Sequence, residues 1–187
     1  MDNSHPKFQI RRLGADENRP PFTCGCNDDL DEYFREDSKT GAKDLIAVTY
    51  AVEISGKVIA FFTVSNDAIR SEDTTNQRFK NIRKNLSPST RGYLSMPAVK
   101  IGRFATAKDY QRQGIGTQIL DFIKMWFTKN NKTGCRFIIV DAANNENTLE
   151  FYEKNEFEFL PPSKKKKNEK TRLMYFDLML FKEQLTN

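Results

Sequence analysis

The sequence predicts an α/β (α+β) fold, and three observations carry that expectation. Two apolar runs, Leu45 to Ile54 and Val58 to Val64, are joined by Ser55-Gly56-Lys57, which is a hairpin signal. Two other segments set apolar residues at helical spacing: Leu30, Tyr33 and Phe34 in one, Leu120, Ile123 and Phe127 in the other. Strand-like and helix-like segments then alternate through the second half of the chain. A length of 187 residues suits one domain, 1–187, and 15 phenylalanines can fill its core.

In chain order, Phe8 to Leu13 reads as a first strand and Ala15 to Pro21 as a polar, proline-ended loop. Asp28 to Gly41 reads as a helix, with Gly41 as its stop. The hairpin follows. Ser71 to Gly92 is polar and aperiodic, a loop with one short basic helix around Phe79 to Leu86. Ile101, Phe104 and Ala105 belong to a buried strand, and the helix of Ile119, Leu120, Ile123, Met125, Trp126 and Phe127 begins near Thr117. Arg136 to Val140 is a β-branched strand, after which Asn144 or Asn145 can cap another helix. Phe157 to Leu160 starts a strand, Pro161 to Lys170 is a lysine-rich connection, and Thr171 to Leu180 returns as a strand. No repeat and no second domain are expected.

Composition excludes several classes. No apolar run approaches the ~18–20 residues that span a bilayer. Met1 to Pro6 is expected to be a mobile tail rather than a signal peptide, because no apolar segment follows it. Three cysteines cannot all pair, so a disulfide framework is not expected, and Cys24 and Cys26 read as small buried residues. The one histidine, His5, lies in the tail, which leaves neither a metal site nor histidine-based catalysis. These features point to a soluble protein of a reducing cytoplasm.

The chemistry concentrates where a strand becomes a helix. Gln111-Arg112-Gln113-Gly114-Ile115-Gly116 is a polar break between the two elements. A helix start offers free N–H groups and partial positive charge, enough to hold phosphate without a lysine. Gly114 and Gly116 let backbone approach a ligand closely. No Lys-Ser or Lys-Thr follows, which excludes a nucleoside-triphosphate loop, and Ile119 stands where a dinucleotide fingerprint needs a third glycine. A tight strand-to-helix turn with no ligand would also suit these glycines. Further on, Tyr152 sits on the next helix, where it could be a proton donor or a core tyrosine beside Phe151.

Gln111, Gly114 and Gly116 fit (Gln or Arg)-x-x-Gly-x-(Gly or Ala), the cofactor motif of the GNAT N-acetyltransferase superfamily, which this chain resembles over nearly its whole length. Its second helix, Asn-x-x-Ala-x-x-x-Tyr-x-x-x-Gly-Phe, is matched by Asn145, Tyr152 and Phe157. Thr148 replaces the alanine and Glu156 the glycine, so the turn after that helix is the part put in question. The resemblance implies the GNAT fold: a mixed, mostly antiparallel central sheet with splayed middle strands, flanked by helices. It implies acetyl-CoA as cofactor, with Phe104, Ala105 and Thr106 along the pantetheine arm. Gln111, Arg112, Gln113, Gly114, Ile115, Gly116 and Thr117 would surround the pyrophosphate, Asn145 would belong to the cofactor site, and Tyr152 would be the general acid. Homodimers are common in the superfamily.

The acceptor is less constrained. The segment from Phe22 through Gly25, Leu30 and Asp31 to Tyr33 and Phe34 resembles the first helix of GNAT toxins that acetylate aminoacyl-tRNA, as does the strand Pro97 to Ala105. That resemblance implies charged tRNA as substrate and an antitoxin as partner. The net charge of +5, the block Lys164 to Lys167 and the cations from Arg78 to Arg91 permit contact with a phosphate backbone. No general base is evident. An α-amine, with pKa near ~8, is partly neutral at pH 7.4, whereas a lysine amine near ~10.4 is almost wholly charged, so an α-amine acceptor is mildly favoured. A small-molecule or peptide N-acetyltransferase of the same fold, and a non-catalytic acyl-CoA-binding module, stay open at this point.

Overall fold

A computed structural model describes residues 8–25, 27–84, 86–129, 131, 133–162 and 169–186. The tail at His5, Cys26 and the block Lys164 to Lys167 lie outside them. The strands are β1 (Gln9–Arg12), β2 (Val48–Ile54), β3 (Lys57–Arg70), β4 (Ser95–Thr106), β5 (Phe137–Ala143), β6 (Glu158–Phe159) and β7 (Thr171–Asp177). They form one seven-stranded sheet in the order β1-β2-β3-β4-β5-β7-β6. The sheet is mostly antiparallel, with one parallel pair, as a GNAT fold requires. The chain builds two compact units, residues 1–65 with 101–119 and residues 66–100 with 120–187.

The first unit is organised by the hairpin. Ser55 (φ +50°) and Gly56 (φ +78°) both lie in the left-handed region, the geometry of a two-residue turn whose twist matches its strands. Ile54 therefore pairs with Lys57, and a bulge between Val52 and Glu53 shifts the register further along. Phe22, Phe34 and Phe61 meet edge-to-face or tilted, with centroids 4.7–5.3 Å apart. Leu13, Cys24, Ala51, Val58 and Ala105 complete this core. Each fully buried phenylalanine contributes about 1.5–3 kcal/mol of transfer free energy.

The expected first helix is α1 (Asp28–Glu32), a π-helical turn (Tyr33–Asp37) and α2 (Ser38–Lys43) in succession. Asn27 caps its start by accepting from the Asp29 N–H. The wide turn places Ser38 where it donates to the Phe34 carbonyl and accepts from Arg19 Nε, both at 2.7 Å. Leu45 and Ile46, expected in the strand, instead lie exposed in the preceding turn, Leu45 at φ +58°.

In the second unit β5 pairs with β7 over seven positions from Phe137↔Asp177 to Ala143↔Thr171. Arg136 fixes that register with a bidentate pair to Asp177 at 2.6 and 2.7 Å. α3 (Asn76–Arg83) is the short basic helix, capped by Thr75 and packed through Phe79 and Ile82 onto Ile69, Met96, Phe137, Ile139 and Tyr175. α4 (Ile115–Thr128) and α5 (Glu146–Lys154) are the two expected later helices. The terminal strand stops at Asp177, and Leu178–Thr186 forms α6. Asp177 makes the transition by accepting from the Met179 N–H at 3.0 Å. Among the described residues no helix is long and apolar enough to cross a membrane.

Candidate active site

The candidate cofactor turn lies in the first unit, at the end of β4. Ala107 N–H donates to the Ile59 carbonyl (2.8 Å) and Lys108 N–H to the Thr23 carbonyl (3.1 Å), so the chain leaves the strand tied on two sides. Gln111 then turns inward. Its Nε2 donates to the Cys24 carbonyl (2.8 Å) and the Thr106 carbonyl (3.0 Å). The Gln111 side chain thus staples the turn to the strand and to the loop before α1. Gln113 Nε2 similarly donates to the Asp109 carbonyl at 2.7 Å.

The loop beneath is itself fixed by Asp31, which accepts from Thr23 Oγ1 (2.5 Å) and the Cys24 N–H (2.8 Å). Burial opposes ionisation of Asp31, but these donors prevail and hold its carboxyl below the ordinary range. The Phe22-to-Phe34 segment, read from the sequence only as a subfamily mark, thus supports the turn.

The backbone between Gln111 and α4 is shaped for a ligand. Arg112 (φ +58°) and Gly114 (φ +77°) are both left-handed. Gln118 N–H bonds to the Gly114 carbonyl (3.1 Å), which makes Gly114 the residue from which α4 starts. The N–H groups of Ile115, Gly116 and Thr117 therefore have no carbonyl of their own helix to bond. A Cβ added at Gly114 would touch only Gln118 Nε2, at 3.9 Å, so the glycine side of the turn is open. Arg112 is exposed and has no ion-pair partner among the described residues. Converging amides, a helix start and one free cation fit a pyrophosphate. Upstream, Phe104 and Thr106 are half-buried and Ala105 faces the core. Arg103 N–H donates to Thr63 Oγ1 at 2.9 Å, so a side-chain oxygen stands where β3 would offer a carbonyl.

The candidate catalytic residue on α5 lies in the second unit. Asn145 caps α5, its Oδ1 accepting from the Thr148 N–H at 3.0 Å, so its side-chain oxygen is engaged with the helix. Tyr152 lies two turns on, 7% exposed, between the rings of Phe151 and Phe157 at 5.2 and 5.3 Å. Among the described residues its hydroxyl has no hydrogen-bond partner. Burial pushes this phenol well above its ordinary pKa. The phenol therefore stays protonated at physiological pH.

Glu156 resolves the question its sequence position raised. It takes φ +64°, the conformation that glycine usually supplies. Phe157 N–H bonds to the Tyr152 carbonyl (3.0 Å) and Glu156 N–H to the Glu153 carbonyl (2.9 Å), so α5 ends in a complete Schellman motif without glycine. No cluster of His, Cys, Asp and Glu able to hold a metal occurs among the described residues. Cys24 and Cys135 are both buried.

Residues 47–159, more than half of the chain, match the family described as Acetyltransferase (GNAT) domain. The chain belongs to that family, whose enzymes take their acetyl group from acetyl-CoA. Solved structures agree in fold. A bacterial toxin superposes with a TM-score of 0.76 at 17% identity, covering 98% of this chain and 97% of its own. The toxin AtaT in complex with acetyl-methionyl-tRNAfMet gives 0.71 at 20% identity, covering 97% and 100%. A tyrosine-to-phenylalanine mutant of AtaT bound to the C-terminus of the antitoxin AtaR gives 0.71 at 17%, covering 97% and 98%. At these identities the likeness is one of fold. A search of curated proteins found no match.

Proposed function

We propose that this acetyltransferase acetylates the α-amine of aminoacyl-tRNA, with Tyr152 as general acid and the backbone from Arg112 to Thr117 as the seat of the cofactor pyrophosphate. Acetyl-CoA supplies the acetyl group as a thioester. The observation that carries the catalytic reading is the Tyr152 hydroxyl, on a side chain buried on α5 and unclaimed by any described residue. Replacing a thioester by an amide releases a thiolate, and Tyr152 Oη holds the proton that it takes up. The amine sheds a proton of its own, which water can accept. Phe104, Ala105 and Thr106 would flank the pantetheine arm.

The acceptor reading draws support from charge. A cavity of about 390 Å³ on the second unit is lined by Lys80, Asn81, Arg83, Lys84 and Arg91. None of these four cations makes an ion pair among the described residues. Four like charges left unneutralised repel one another, and a phosphate backbone relieves that repulsion. Tyr93, 55% exposed just beyond Arg91, adds a ring of the kind on which an unpaired base stacks. The first-helix segment and the fold likeness to AtaT point the same way. An antitoxin, on this reading, is the natural partner.

The test is label transfer from acetyl-labelled coenzyme A to charged tRNA, offered beside pools of small amines and peptides. Label on the aminoacyl group of tRNA is the expected result. Label confined to small amines or peptides would replace this reading with an acetyltransferase of metabolites or proteins. Cofactor binding without transfer to any pool would leave an acyl-CoA-binding module.

A further inference from the structure

Lys124 is the one cation among the described residues that is almost wholly buried, at 2% exposure. Apolar side chains surround its position on α4, where Leu120, Ile123 and Phe127 are all buried, so a leucine or methionine would satisfy packing alone. Burying an ammonium is costly unless it is solvated by protein. Here it is. Nζ donates to the Asn155 carbonyl at 2.9 Å and stands 4.4 Å from the Phe176 ring centroid. Asp121 and Glu156 oxygens each lie 3.6 Å away, both on side chains more than half exposed.

The carbonyl that Lys124 binds belongs to the residue that closes α5. Asn155 is itself buried, its Nδ2 donating to the Phe151 carbonyl at 2.7 Å. Its N–H reaches the Phe151 and Tyr152 carbonyls at 3.2 and 3.0 Å. A buried cation at a helix C-terminus is favourably placed against the negative end of the helix. The last turn of α5, including the Tyr152 backbone, is therefore held through Asn155 by a charge from α4.

We infer that Lys124 is a positioning residue for the Tyr152 phenol, fixing the α5 C-terminal turn from which that side chain projects. The inference rests on the reading of Tyr152 as general acid. Misplacing a reacting group by about 1 Å can cost 10²-fold in rate.

Lys124→Met keeps the stem and removes the charge and the donor. The expected result is a fall in kcat of about 10–10²-fold, with KM for acetyl-CoA within about twofold. Lys124→Arg, which keeps a cationic donor, should restore most of the loss. In a Tyr152→Phe background the same Lys124→Met change should lower kcat no further. Amide hydrogen exchange from Tyr152 to Phe157 should quicken in Lys124→Met. An equal fall in kcat with and without the Tyr152 hydroxyl, or unchanged exchange in that turn, would overturn the inference. Lys124→Gln, neutral and one bond shorter, gives the same comparisons if the methionine variant does not fold. Wild-type protein that transfers acetyl to no acceptor would sink the catalytic reading of Tyr152 instead, while the exchange measurement would still decide whether Lys124 holds the turn.

Discussion

Replacing Tyr152 by phenylalanine separates catalysis from stability more cleanly here than such a change usually does. The Tyr152 hydroxyl has no hydrogen-bond partner among the described residues, so its removal deletes no protein–protein hydrogen bond. The ring remains between Phe151 and Phe157, and no cavity larger than one oxygen is created. The expected stability change is within about 1 kcal/mol, a shift of no more than about 2–4 °C in Tm for a chain of this size. Turnover should fall by about 10²–10⁴-fold with the general acid gone, and acetyl-CoA affinity should hold within about twofold. High pH adds an independent readout. The phenol ionises near ~10 in the unfolded chain and higher in the fold, where burial disfavours the charged form. Above that pH the unfolded state binds fewer protons than the native state, so stability declines as pH rises, by up to about 1.4 kcal/mol per pH unit for this one group. The phenylalanine variant should be spared that share of the decline, while Tyr175, pushed up to about 12 by burial and by Glu158, declines in both proteins. Urea midpoints between pH 8 and 11 beside label-transfer rates make the comparison. Turnover preserved in Tyr152→Phe would refute the catalytic assignment. A large loss of stability at neutral pH would refute the claim that the hydroxyl is structurally idle.

Other perturbations read other parts of the structure. Gly114→Ala forces a side chain into φ +77° and should cost about 1–2 kcal/mol, with acetyl-CoA affinity falling at the same time. Calorimetric titration giving wild-type affinity would mean that the turn is not where the pyrophosphate sits. Glu156→Gly relieves the left-handed strain but forfeits chain stiffness and a carboxylate oxygen 3.6 Å from the buried Lys124. The expected net is a gain of about 0.5 kcal/mol, seen as a small rise in the denaturation midpoint. Replacing Lys80, Lys84 and Arg91 together with glutamate should weaken association with charged tRNA and flatten its salt dependence, leaving acetyl-CoA affinity unchanged. An unaltered salt slope would move the RNA contact elsewhere.

What the sequence made legible was whatever a local signal encodes. Ser55-Gly56 between two apolar runs and Gly114 between a strand and a helical period each require backbone that few other residues provide, and both were readable. So was Tyr152, by its spacing from Asn145. Less legible were features decided by tertiary partners. Leu178 to Leu180 is an apolar run that reads as the end of the last strand, yet Asp177 turns it into a helix. Leu45 and Ile46 read as strand because nothing local distinguishes an exposed apolar turn. β3 runs on to Arg70 through Ser65, Asn66 and Asp67, polar residues that no propensity scale places in a strand. Gln111 and Asn145 matched a cofactor motif by position, but only coordinates reveal that their side chains bond to this chain itself. Lys124 carried no signal at all, since a lysine on a helix reads as solvent-facing until the carbonyl it binds is seen.

The seat proposed for the pyrophosphate consists of main-chain N–H groups, and its shape is maintained from below by one glutamine amide. Every residue type but proline contributes the same N–H, so an exposed side chain such as that of Thr117 can be exchanged at small cost to cofactor choice. A lineage built this way can remodel the surface around its acyl donor, and with it whatever docks there, while the identity of the donor stays constant.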